Sequence, residues 1–285
     1  MSPAANNAPI LLVQGPEATA GAAAELAALS GAAEPEQAAE RAWRLRGIRR
    51  RDGVAAWCEA HRLDHAWLSE GRRFADLKLL ALDMDSTLIT IECIDEIGGY
   101  VDKKKEIAEI TAQAMRGEIA YLESLRRRLG LLQGTSLEVL ERVYREKLQL
   151  SPGAERLLEA CRKNNIKVLL VSGGFSFFTE RLRQRLALDD TLSNVLEIEN
   201  GQLTGRILGD VVDAEAKAAR FRQFAQRLGA KREQTVAIGD GANDLPMMAE
   251  AGISIAYRAR PVVRAKATYN LDYVGLDGIL NLFSL

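Results

Sequence analysis

The stretch Leu77-Lys78-Leu79-Leu80-Ala81-Leu82-Asp83-Met84-Asp85-Ser86-Thr87 is an apolar run that stops at two carboxylates. An apolar run of that length predicts a strand, Leu77 to Leu82, buried on both faces of a sheet. Two later runs stop in the same way. Lys167 to Val171 leads into Ser172-Gly173-Gly174, and Thr235 to Ile238 leads into Gly239-Asp240-Gly241-Ala242-Asn243-Asp244. Helical patterns lie between and after them, at Ala154 to Asn164, Ser176 to Leu186, Ala214 to Leu228 and Leu245 to Ala251. Strands alternating with helices predict an α/β fold with a doubly wound, Rossmann-like parallel sheet. In such sheets ligands bind beyond the carboxyl ends of the strands. The three polar motifs are therefore expected to meet in space.

Further strands are expected at Val195 to Glu199 and Leu203 to Ile207, joined by an Asn200-Gly201 turn, and at Ile253 to Ala256 and Tyr273 to Val274. Ile94 to Leu148 carries helical periodicity throughout and predicts a small helical bundle over 94–150. That bundle interrupts a core of 77–93 and 151–285. Residues 1–76 predict a separate small αβ unit. It has a strand at Ile10 to Val13 ended by Gly15-Pro16, and a helix at Ala20 to Leu29 interrupted by Pro35 to Ala39. A strand follows at Ala42 to Ile48, then a helix capped by Asp52 and running to His61, then a strand at Asp64 to Leu68. The unit holds no catalytic motif.

Composition narrows the function. The chain has 285 residues, 47% hydrophobic and 27% charged, as in ordinary globular proteins. Its formal net charge of -1 provides no global attraction to nucleic acid or anionic membrane, so neither is expected as a partner. No apolar run approaches the roughly 20 residues needed to cross a bilayer. The run Ile10 to Val13 is also shorter than the signal-peptide core of about 7–15 residues, so a cytoplasmic location is expected. Cys58, Cys93 and Cys161 form no paired motif, which fits a reducing compartment. A homodimer is left open.

Asp83 and Asp85, taken as a pair, suit either a turn or a reactive site. With Ser86, Thr87 and the acidic loop at Asp240 and Asp244 they make a hard, oxygen-rich set suited to Mg²⁺. Ser172-Gly173-Gly174 opens a helix, where free N–H groups and small residues can cradle an anion, although the same tripeptide serves as a plain strand-to-helix turn. Lys217, Glu92 and the run Arg126 to Arg128 would each be ordinary solvated charges if met singly.

Together these residues resemble the haloacid dehalogenase superfamily. Asp83-Met84-Asp85-Ser86-Thr87 is similar to its first motif, Ser172 to its second, Lys217 to its third and Gly239 to Asp244 to its fourth, in the family's order. The helical insert resembles that family's small cap. The strings Ile91 to Ile97, Ala114 to Glu118 and Ser124 to Arg128 resemble the phosphoserine phosphatase branch. Many members of that branch carry an ACT-type regulatory domain ahead of the core, but the strand–helix–strand–helix–strand order expected for residues 1–76 does not match it.

The resemblance implies a Mg²⁺-dependent phosphomonoester hydrolase acting on a small molecule, O-phosphoserine. Asp83 would be the nucleophile and Asp85 the general acid and base. Asp83, the Asp85 carbonyl and Asp240 would hold the metal. Ser172, Gly173, Lys217 and Asn243 would bind phosphate, with Asp244 behind Lys217 or a metal-bound water. Glu92, Arg128 and Met115 would contact the rest of the substrate. A phosphotransferase passing the group to an alcohol such as homoserine shares these motifs.

Overall fold

The computed structural model describes residues 9–116 and 118–284. Its first sheet is built by β1 (Ile10–Gln14), α1 (Ala20–Ser30), β2 (Glu36–Ala39), β3 (Ala42–Leu45), α2 (Val54–Ala60) and β4 (Asp64–Leu68). The strand order is β2-β3-β1-β4, antiparallel throughout. Side chains alternate across a strand, and β1 uses both of its faces. Leu11 and Val13 pack with Leu26 of α1 and Cys58 of α2, while Ile10 and Leu12 join the large core shared with the second sheet. Helix α1 starts where the Thr19 hydroxyl accepts from the Ala22 N–H at 3.1 Å, and it stops at Gly31, whose φ of 65° suits a residue without Cβ.

Four expectations for this unit are corrected. Glu36–Ala39 is a strand rather than an interruption. It is a polar edge strand without apolar alternation, and it exists through its pairing with β3. With β2 in place the order becomes β-α-β-β-α-β, a ferredoxin-like arrangement, which replaces the five-element order expected above. Strand β3 ends at Leu45 rather than Ile48, two residues before Gly47 turns the chain at φ 68°. The N-cap of α2 is Gly53 at φ 81°, not Asp52.

The second sheet carries the rest. Strand β5 (Leu79–Leu82) is followed by α3 (Cys93–Tyr100), α4 (Lys104–Met115), α5 (Tyr121–Leu131) and α6 (Leu137–Arg142). Then come α7 (Ala154–Lys163), β6 (Lys167–Phe175), α8 (Ser176–Leu186), β7 (Asp190–Glu199), β8 (Gln202–Leu208) and α9 (Ala214–Arg227). The chain closes with β9 (Thr235–Gly239), α10 (Leu245–Glu250), β10 (Ile253–Tyr257), α11 (Pro261–Arg264) and β11 (Tyr269–Leu271). The order is β11-β10-β9-β5-β6-β7-β8, parallel except for the β7–β8 hairpin at one edge. This is the α/β architecture expected from the alternating pattern.

Strand β5 sits at the centre, paired with β6 on one side and β9 on the other. Leu79 and Ala81 face one core, Leu80 and Leu82 the other, and all four have no exposed surface. Each buried leucine contributes about 1.5–3 kcal/mol. The helices α3 to α6 tie back to the hairpin: Gly134 N–H donates to the Leu203 carbonyl, and Leu203 N–H donates to that of Thr135.

The expected strand at Tyr273 to Val274 is not there; β11 lies at Tyr269–Leu271 instead. The amides of Asp272, Tyr273 and Val274 donate to the buried carboxylate of Asp64 on β4, at 2.7, 3.0 and 3.0 Å. One side chain thus caps the end of β11 and joins the two sheets. Asp64→Ala leaves three amides without an acceptor and is expected to cost about 2–4 kcal/mol, read from the urea midpoint at unchanged m-value.

Candidate active site

Because β5, β6 and β9 are parallel neighbours, the segments that follow them emerge along one edge of the sheet. After β5 the chain makes a wide turn over Met84–Leu88, broken at Ser86, whose φ of 54° is a left-handed value uncommon for a residue with a Cβ. That turn directs the carboxylates of Asp83 and Asp85 and the hydroxyls of Ser86 and Thr87 outward from the strand end.

Lys217 reaches the same place from the first turn of α9, which Asp213 caps by accepting from the Ala216 N–H at 2.9 Å. Its Nζ lies 3.0 Å from Asp83 Oδ1 and 2.8 Å from Asp244 Oδ1. Lys217 is 1% exposed, Asp83 6% and Asp244 fully buried, so water does not screen these pairs. Asp244 Oδ2 accepts from the Gly241 N–H at 3.1 Å, and the Thr87 hydroxyl donates to Asp240 Oδ1 at 3.1 Å. Asp85 Oδ1 accepts from the Cys93 N–H at 3.0 Å.

Strand β6 supplies the opposite wall. It runs through Ser172-Gly173-Gly174 to Phe175 rather than stopping at Val171. The Ser172 hydroxyl accepts from the Gly174 N–H at 2.8 Å. A Cβ on Gly174 would sit 2.7 Å from Asp85 Oδ2, and one on Gly173 would sit 2.8 Å from the Tyr121 hydroxyl. Only glycine permits both approaches.

Four carboxylates and one ammonium share this space. Burial, and then Asp244, raise the Asp83 carboxyl well above the usual range against the pull of Lys217. Burial followed by Glu92 lifts Asp85 to about 7, and burial followed by Asp244 lifts Asp240 to about 7. Burial alone would depress Lys217, but Asp244 and Asp83 outweigh it and keep the ammonium charged.

The surplus of negative charge fits a cation. Asp83, Asp240 and Asp244 each place a carboxylate oxygen within 4.8 Å of the others. Both oxygens of Asp244 accept, from Lys217 and Gly241, whereas the bonds to Asp83 and Asp240 fall on Oδ1, so these two carboxylates are the candidate metal ligands of the set. Both offer hard oxygen ligands.

On the helical side Glu92 accepts from the Ser86 hydroxyl at 2.7 Å. Arg128 donates from Nε to the Ser124 carbonyl at 3.3 Å. Burial lowers its pKa, while Tyr121, Asp95, Glu92 and Asp85 lie near enough to oppose that. Asn243 stands half-buried on the loop between Asp240 and Asp244. The fold therefore brings Asp83, Asp85, Ser172, Gly173, Lys217, Asp240, Asn243 and Asp244 to one edge, with Glu92 and Arg128 beside it. The side chain of Met115 lies outside the described residues.

Comparison with known proteins agrees with this geometry. The family of haloacid dehalogenase-like hydrolases matches residues 80–249. The phosphoserine phosphatase of Polaromonas sp. is 52% identical over 215 residues, covering 74% of this chain and 91% of that protein. The crystal structure of a probable phosphoserine phosphatase from Vibrio cholerae superposes with a TM-score of 0.83 at 35% identity, covering 96% of this chain and 86% of that one. A substrate-bound phosphoserine phosphatase superposes with a TM-score of 0.69 at 34% identity, covering 73% of this chain and 99% of that one.

The chain belongs to the haloacid dehalogenase-like hydrolases.

Two supports of this hydrolase site escaped the sequence. Asn194 on β7 donates to the Gly173 carbonyl and accepts from the Val212 N–H, both at 2.8 Å, so it links the glycine wall to the segment entering α9. A lone asparagine within a strand carries no signal of that bridging. The Cys93 amide positions Asp85 through the main chain, which no side-chain motif announces.

Lys217→Met keeps the volume and removes the charge. It is expected to destabilise the cation-free protein by about 3–5 kcal/mol at pH 8, as for a buried pair stripped of one partner. The loss should shrink at pH 6, where the carboxylates can protonate, and urea denaturation at the two pH values measures both.

Proposed function

We propose that this hydrolase converts O-phospho-L-serine to L-serine and phosphate through a phospho-aspartyl intermediate on Asp83. The observation that carries the reading is the position of Asp83. At the end of the central strand its carboxylate is oriented through Oδ1 by the Met84 N–H at 2.7 Å and by Lys217 at 3.0 Å. Relatives named phosphoserine phosphatase support the substrate.

Asp83 attacks phosphorus while the bond from phosphorus to the serine oxygen breaks. Asp85, raised to about 7 and steadied by the Cys93 amide, gives the leaving oxygen its proton. It then takes a proton from the water that attacks the phospho-aspartate, and phosphate and free Asp83 result. Lys217 and the main chain at Gly173 hold the non-bridging oxygens as charge shifts onto them, with Ser172 and Asn243 beside them. Mg²⁺ held by Asp83, the Asp85 carbonyl and Asp240 would offset phosphoryl charge against the carboxylates. Glu92 takes the substrate ammonium and Arg128 its carboxylate.

Asp83→Asn should lower phosphate release at least about 10³-fold while leaving the thermal midpoint unreduced. Glu92→Gln and Arg128→Ala should each raise KM for phosphoserine about 10–100-fold and leave hydrolysis of p-nitrophenyl phosphate within about 3-fold. An equal loss on both substrates would show that these two residues do not read the amino acid. Adding homoserine and finding phosphohomoserine in place of free phosphate would favour transfer over hydrolysis.

Removing the metal should expose the crowded carboxylates. With folded values of about 7 for Asp85 and Asp240, and about 4 when unfolded, the cation-free fold binds more protons than the unfolded chain between those limits. Its stability should therefore fall as pH rises through that window. Mg²⁺ should restore it, with a thermal shift larger at pH 8 than at pH 5.5. A Mg²⁺ shift that is independent of pH would count against the metal set.

A further inference from the structure

We propose that the cavity between the first sheet and the C-terminal segment binds a small anion bearing a phosphate or carboxylate group. The cavity has a volume of about 180 Å³ and is lined by Arg44 and Arg46 from β3 and its end, by Glu70 and Arg72 after β4, and by Phe283 and Ser284. Its lining includes none of the residues placed in the active site.

Three arginines line this space, and among the described residues Glu70 is the one carboxylate in its lining. Arg46 uses that carboxylate, at 2.5 Å. Arg44 is held from Nη2 by the carbonyls of Asn281 and Phe283, at 3.1 and 2.7 Å, which fixes the plane of its fork but supplies no counter-charge. Its Nε is buried and has no hydrogen-bond acceptor among the described residues. Arg72 lies beside the phenol group of Tyr269. Among the described residues neither Arg44 nor Arg72 has a carboxylate partner.

Guanidinium groups that line a cavity without carboxylate partners suit a planar carboxylate or a phosphate face as a ligand. The chain as a whole carries a charge of -1, so this concentration of positive charge is local. The volume is below the 300 Å³ or so of a drug-sized pocket, which limits the occupant to a few heavy atoms, such as inorganic phosphate or a small amino acid.

The test uses the full chain, ¹⁵N-labelled and treated with EDTA, so that the carboxylates of the active site repel added anions. Inorganic phosphate and L-serine are titrated separately while the amides of residues 69–72 and 282–284 are followed. One of the two should give saturable shifts there with a Kd on the order of 1–10 mM, weaker at high salt. Phosphate saturation identifies a phosphate site, and saturation by L-serine identifies a carboxylate site. Arg72→Gln should raise that Kd about 10-fold, and Arg185→Gln, on an exposed part of α8, should not change it. Arg44→Gln should abolish binding, but it also removes a tie to the chain end, so Arg72→Gln is the deciding variant. If neither probe saturates, or if Arg72→Gln binds as tightly as the parent, the proposal is overturned.

Discussion

Lys217 is an ammonium group removed from water and shared between Asp83 and Asp244, and the site depends on that sharing. A buried ion pair of this kind adds little net stability, because desolvation consumes most of the attraction. What it provides is geometry. It ties the first turn of α9 to the ends of β5 and β9, so elements far apart in sequence hold one arrangement of charge. Asp244 completes the tie by accepting from Gly241, which fixes the loop that carries Asp240.

One lysine does not neutralise four carboxylates. The excess raises Asp83, Asp85 and Asp240 together. It suits a hard cation beside the Asp83 and Asp240 carboxylates. Two chemically similar side chains also have different anchors: Asp83 is held by Lys217 and its own turn, while Asp85 is held by a main-chain amide. The glycines at 173 and 174 matter for the same reason, since any side chain there would displace Asp85 or Tyr121.

The two sheets are more closely joined than their separation in sequence implies. Ile10 and Leu12 place one face of β1 in the large core, and Asp64 takes three amides from the end of β11. Arg44 adds two bonds to the C-terminal segment. The arginine-lined cavity lies at this joint, so an anion bound there would touch both the first sheet and the chain end.

The central strand, the helices around it and the acidic motifs were legible because each has a local signature. Burial on both faces makes β5 an unbroken apolar run, and the carboxylates that end it stand out once the other acidic and glycine-rich strand ends are read with them. The edge strand Glu36–Ala39 and the short β11 were not legible, because edge strands form by pairing and need no pattern of their own. The same holds within the site. Residue types and their order determined that Asp83, Asp85, Lys217 and Asp240 belong to one chemistry. Only the tertiary structure decided that Asp244 holds Lys217, that Asn194 braces Gly173 and that a backbone amide steadies Asp85. Those are distances between remote atoms, and they exist only once the parallel sheet has set its strand ends side by side.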